Sequence, residues 1–106
     1  MNPREKRIDL HMEADVSDGM MVFDGLVSNV SSDGLMIKKL PKKFDYYTRK
    51  CVAIVYGIVE GIKQKFRIVI KPMWTAIKGK YKSIGFKIVQ PPINWLLMIN
   101  SLKGRS

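Results

Sequence analysis

Apolar and polar residues alternate strictly near the start of the chain. Ile8, Leu10, Met12, Ala14 and Val16 fall on one face, and Asp9, His11, Glu13 and Asp15 on the other. Period-two alternation marks a half-buried strand, and Ser17-Asp18-Gly19 supplies a turn to close it. Val22 to Val30 reads as a second strand, with Gly25 inside it marking a bulge or a sharp bend. Leu35 to Lys38 reads as a third. Asp33-Gly34 ahead of it is a favoured hairpin pair, so the second and third strands are expected to be antiparallel neighbours.

Leu40 to Thr48 carries Pro41, charges and the aromatics Phe44, Tyr46 and Tyr47, and reads as an irregular connection. Arg49 to Val59 is apolar on both faces and rich in Val, Ile and Tyr, as expected of a strand. Lys63 to Lys71 alternates again, with Phe66, Ile68 and Ile70 inward and Lys65, Arg67 and Lys71 outward. Tyr81 to Val89 gives one more strand, grouping Ile84, Phe86 and Ile88. Short strands at near-regular spacing suggest a barrel or a sandwich. Pro91-Pro92 then ends the pattern, and Trp95, Met98, Ile99 and Leu102 recur at helical spacing. A short amphipathic helix at about 92–102, packed on the sheet, is the expected close.

Length and charge sharpen this picture. At 106 residues the chain is one domain with a modest core. Its net charge of +10 is unevenly placed, because Glu60 is the one acid among residues 46–106. A half that basic favours an anionic partner. The single cysteine, Cys51, excludes an internal disulfide, fits a reducing compartment, and sits in an apolar run that predicts a buried thiol. Met1 to Asp9 is polar and lacks a signal-peptide core, and the longest apolar stretch, Cys51 to Ile62, is too short to span a bilayer. A cytoplasmic location without a membrane span is expected.

Catalytic chemistry finds little support. The lone histidine, His11, alternates with acids on a polar strand face. No paired Cys/His spacing suits a metal, and no Walker-type glycine loop is present. Neither an enzyme nor a bound cofactor or metal is expected.

The stretch from Asn29 to Gly34, Asn-Val-Ser-Ser-Asp-Gly, is different. The Asn29 amide both donates and accepts, which suits the edge of a nucleobase. Ser31 adds a hydroxyl, and Gly34 allows a positive φ and a close approach of backbone to ligand. Arg4, Lys6 and Arg7 precede the first strand and could supply charge for an anionic ligand. Taken in order, the basic arm, the Asn29-Val-Ser-Ser-Asp-Gly-Leu-Met-Ile turn between two strands, Ile84-Gly-Phe-Lys-Ile and the closing Trp95 helix resemble the PilZ domain, a family of bacterial cyclic di-GMP receptors. The resemblance covers almost the whole chain. It implies an all-β fold, a six- to seven-stranded antiparallel β-barrel with a short C-terminal helix over residues 9–106, preceded by a flexible arm at 1–8. It also implies that Arg4, Arg7, Asn29, Ser31 and Gly34 hold cyclic di-GMP, and that the domain signals without catalysis through a downstream protein partner.

The arm departs from the family spacing of Arg-x-x-x-Arg. Arg7 matches the second position, but Pro3 stands at the first and Arg4 lies only three residues before Arg7. In an extended segment residues four apart share a face, whereas residues three apart do not. A second reading is therefore a nucleotide-independent adaptor using the basic half with Phe44, Tyr46 and Tyr47. A third, a basic barrel binding single-stranded nucleic acid, leaves the glycine turn unexplained, and no DNA partner is expected.

Overall fold

The computed structural model describes residues 11–44 and 51–103. Ile8 and Leu10 of the expected first strand, the arm, and Tyr46 and Tyr47 lie outside these residues. The alternation becomes β1 (Met12–Ser17), in which Met12, Ala14 and Val16 are buried. β2 (Val22–Ser28), β3 (Gly34–Pro41), β4 (Cys51–Val59), β5 (Ile62–Lys78) and β6 (Tyr81–Val89) follow, and α1 (Ile93–Lys103) comes last. All neighbouring strands are antiparallel, and they close into a barrel in the order β1-β2-β3-β6-β5-β4. The fold is therefore the expected all-β antiparallel barrel with one short helix. Closure pairs strand edges that would otherwise attract other chains. Inward positions fill the lumen, with Val16, Val27, Ile37, Val55, Ile68 and Ile84 each 0–1% exposed.

Two local features differ from the sequence reading. Gly25 is not at a bulge, because it stays in register opposite Ala14. A side chain there would collide with Ile37 Cγ2 and press on Leu40 Cδ2, so glycine is needed for close packing. The irregularity falls on β3 instead, where pairing with β6 shifts between Ile37 and Leu40 and Lys39 adopts a φ of 60°. β5 is also much longer than the expected Lys63–Lys71. It runs for 17 residues through Pro72, and its register with β6 shifts between Pro72 and Trp74. Proline lacks a donor for the ladder, and a bulge is one of the few places in a sheet that tolerates it.

Phe44 overturns part of the adaptor surface. Its side chain is fully buried and meets Phe23 edge-on, with ring centroids 5.3 Å apart. It is a core residue and presents nothing to a partner. Cys51 is buried as expected, and burial first, with the Asp18 charge second, pushes its thiol above the usual range. The thiolate is the reactive form. Native protein is thus expected to resist a thiol-specific reagent and to react promptly once denaturant unfolds it. Fast labelling under native conditions would contradict this burial.

The pairing registers give the barrel two ends. One end gathers the start of β1 beside the end of β2 (Met12 opposite Val27) and the start of β3 beside the end of β6 (Gly34 opposite Lys87). The other gathers the β1–β2 connection (Ser17 opposite Val22), the end of β3 beside the start of β6 (Pro41 opposite Tyr81), and the β5–β6 turn (Lys78 opposite Tyr81). α1 continues from β6 at the first end. Its buried residues, Trp95, Met98 and Ile99, are three of the four expected, and Leu102 packs partly against the core. No helix of the described residues is long and apolar enough to cross a membrane.

Candidate functional site

The chain leaves β2 through Asn29, whose φ of 51° lies in the left-handed region. Asparagine tolerates this conformation better than other residues with a side chain. Val30 then drops into the core with no exposed surface. The Ser31 backbone N–H donates to the Gly34 carbonyl at 2.8 Å, closing the turn. The Ser31 hydroxyl lies 3.4 Å from both Asp33 Oδ1 and the Gly34 carbonyl oxygen. Two further bonds tie this turn to the rest of the molecule. The Ile88 N–H donates to the Asp33 carbonyl at 2.8 Å, and the Trp95 indole Nε1–H donates to the Ser31 carbonyl at 3.0 Å.

The structure thus brings Asn29, Ser31 and Gly34 into one turn and gives each a different task. Asn29 is half-buried and carries the positive φ that sequence reading assigned to Gly34. Gly34 begins β3 instead. A methyl group there would just contact the Phe86 carbonyl oxygen and Ser31 Oγ, each at 3.4 Å. Ser31 is only 5% exposed, and its role within the fold is to hold the turn. Asp33 is exposed beside it. Immediately before the turn, the Ser28 hydroxyl is buried without a hydrogen-bond partner among the described residues. An unpaired buried hydroxyl carries a desolvation cost.

Arg4 and Arg7 lie outside the described residues, but the end at which the arm joins the barrel is defined. Met12 pairs with Val27, two residues before Asn29. Arg7 precedes Met12 by five residues, a fully extended reach of about 17 Å. β1 therefore begins at the same end of the barrel as the turn.

Two features of this end escaped the sequence reading. Lys87 is exposed and directly opposite Gly34 in the β3–β6 register, which places a cation beside the turn. Alternation alone shows that Lys87 points outward, but only the register shows what it points beside. On the far flank of β1, a cleft of about 660 Å³ lies between β4, β5 and α1. His11, Lys63 and Lys65 supply cationic or polar groups to it over an apolar floor that includes Met12, Met98 and Leu102. Asn29, Ser31 and Gly34 do not line this cleft. Among the described residues, no cluster of His, Cys, Asp and Glu could hold a metal ion.

These features define a class: a closed six-stranded antiparallel barrel, plugged at one end by a helix that also fastens a polar β2–β3 turn. This is the architecture that the PilZ resemblance implied. A similar fold is found in a solved structure from Bacillus subtilis, the inhibitor of motility MotI/DgrA. It aligns with 99% of this chain at a TM-score of 0.78 and 10% sequence identity. The match covers 51% of that protein, so this chain spans about half its length. At such low identity the likeness establishes the fold. No protein-family model matches the chain, and no curated protein matches it in sequence.

Proposed function

We propose that this chain is a receptor domain for cyclic di-GMP that acts through a partner protein. The observation that carries the reading is that β1 begins at Met12 opposite Val27, so the chain that follows Arg7 enters the barrel at the end holding the Asn29–Gly34 turn. The ligand has two guanines and two phosphates. An arginine fork binds guanine O6 and N7 or pairs with a phosphate. The Asn29 amide would meet a base edge, and Lys87 would add charge beside Gly34. The fold's likeness to an inhibitor of motility fits a domain that works by contacting another protein. Ligand would fix the arm against the turn and so change the surface that a partner reads.

Calorimetry with cyclic di-GMP at physiological salt tests the reading. Saturable binding at micromolar concentrations is expected, and absence of heat from folded protein would overturn it. Two substitutions at Asn29 separate binding from folding. Asn29→Gly keeps the left-handed backbone and removes the amide, so stability should hold while affinity falls about 5-fold or more, the lower end of a lost bidentate contact. Asn29→Ala removes the amide and also strains the backbone, adding a stability loss of about 1 kcal/mol. Equal affinity for Asn29→Gly and wild type would remove Asn29 from the site.

The adaptor reading keeps one observation in its favour. Ser31 is satisfied within the fold and the turn is held by β6 and α1, so this end is built without needing a nucleotide. A partner recovered equally well with Asn29 and Ser31 both changed to alanine, and unaffected by added nucleotide, would favour it.

A further inference from the structure

The opposite end of the barrel carries a second surface. Two connections project there. In the β1–β2 connection, Met20 is 75% exposed, Met21 54% and Val22 66%. In the β5–β6 hairpin, Met73 and Ile77 are each 61% exposed, Tyr81 51% and Trp74 44%. Scattered exposed apolar residues are ordinary, but large ones gathered on a turn and on the strand segments leading to another at one end of a small barrel call for a partner.

The hairpin reaches this position through the length of β5. β4 pairs with β5 only as far as Ile70, whereas β6 follows β5 to Lys78. Among the described residues, Lys71 to Lys78 is therefore an edge segment: it pairs with β6 alone, β6 pairs on its other side with β3, and the hairpin ends in the turn at Gly79 and Lys80. An edge segment showing large apolar groups to water is one that a partner ordinarily covers.

Charge narrows the choice of partner. Lys78 and Lys80 are exposed at the hairpin tip, and Lys42 and Lys43 are exposed just after β3 at the same end. The Lys43 ammonium lies 5.9 Å from the Phe23 ring centroid. No Asp or Glu occurs from residue 61 to residue 103. The acid of the β1–β2 connection, Asp18, is only 2% exposed, and its Oδ1 accepts the Met20 and Met21 N–H groups at 2.8 Å each. That carboxylate shapes the turn and turns Met20 and Met21 outward. Glu13, Asp15 and Asp24 line a cleft with Tyr81 and Lys39 along the barrel wall, to the side of the two turns.

We propose that this end of the barrel docks on an anionic lipid surface, with the two connections entering the headgroup region. Met20 and Met21 sit on a turn, and Val22 and Ile77 at strand ends beside the turns, rather than in a groove, so they suit insertion better than capture of a peptide. Trp and Tyr with an apolar body and a polar tip, flanked by lysines, match the lipid–water interface. A second copy is disfavoured, since like ends would bring lysines together. Trp74 is a poor stacking platform for nucleic-acid bases, because its ring lies over Gly85 and one face is occupied. Docking in this way leaves the Asn29–Gly34 turn and the arm junction facing solution. The inference stands independently of cyclic di-GMP binding.

The test is co-sedimentation of the full chain with vesicles of phosphatidylcholine alone or mixed with phosphatidylglycerol. Binding is expected only to the mixed vesicles, and should weaken as salt screens the lysines. Trp95 has no exposed surface and Trp74 is 44% exposed, so quenching by brominated acyl chains should report on Trp74. Trp74→Phe should lose that quenching and keep most of the binding. The pair Met20→Ser with Ile77→Ser, one substitution on each connection, should weaken binding by at least about 10-fold. Lys78→Glu with Lys80→Glu should do likewise. All five positions are substantially exposed, and a thermal melt confirms that each variant is folded. The proposal is overturned by no sedimentation of folded wild type, or by undiminished binding in the Met20/Ile77 pair. Tight binding to generic single-stranded DNA without vesicle binding, or a stable dimer built through these loops, would also overturn it.

Discussion

Replacing Trp95 by alanine is expected to lower stability by about 3–5 kcal/mol, the cost of emptying a fully buried aromatic site. Trp95 has no exposed surface and meets Phe66 edge-on at 5.6 Å, and its indole N–H holds the Ser31 carbonyl. The loss is a large part of the 5–15 kcal/mol that ordinarily keeps a domain folded. For a chain of this size it corresponds to a fall in Tm of more than about 10 °C. Chemical denaturation followed by circular dichroism measures it. Trp95→Phe separates the two roles, because the ring remains while the Ser31 carbonyl loses its donor. That variant should lose about 1–3 kcal/mol and exchange its Ser31 and Ile88 amide hydrogens faster. A loss below 1 kcal/mol for Trp95→Ala would mean that α1 does not plug the barrel.

Arg7→Ala is expected to remove measurable cyclic di-GMP binding, and Arg4→Ala to weaken it by less. A bidentate arginine–guanine contact is worth about 1–3 kcal/mol, and the same cation also attracts phosphate, so its loss takes a micromolar complex out of calorimetric range. Arg7 adjoins the alternating segment that runs into β1, while Arg4 lies three residues earlier and, in an extended arm, on the opposite face. Lysine at position 7 should restore little, because a point charge cannot reproduce the fork. Equal losses from the two alanine variants would show that the arm is not extended when it binds. Unchanged affinity in both would move the ligand elsewhere, the cleft lined by Lys63 and Lys65 being the first place to look.

Much of the barrel could be read from local pattern. The alternation of Met12, Ala14 and Val16, and of Phe66, Ile68 and Ile70, placed these residues in the core because a strand exposes successive side chains to opposite faces. The spacing of Trp95, Met98 and Ile99 did the same for α1. The pattern failed where packing overrode it. Pro72 hid the second half of β5, Gly25 suggested a bulge where close contact with Ile37 requires glycine, and Phe44 looked like a loop aromatic but lies in the core.

The candidate site divides along the same line. By itself the sequence determined the strand and helix periods, the polar Asn29–Gly34 turn, the basic arm and the basic second half with Glu60 as its one acid, because each depends on residues adjacent in the chain. Only the tertiary structure decided that Asn29 takes the left-handed backbone, that Ser31 faces inward to Trp95, and that Lys87 stands beside Gly34. It also gathered the exposed methionines and the β5–β6 hairpin at the end opposite the turn. The reason is physical: period fixes which face a residue takes, whereas register and barrel closure fix its neighbours, and these arise from packing between segments far apart in sequence.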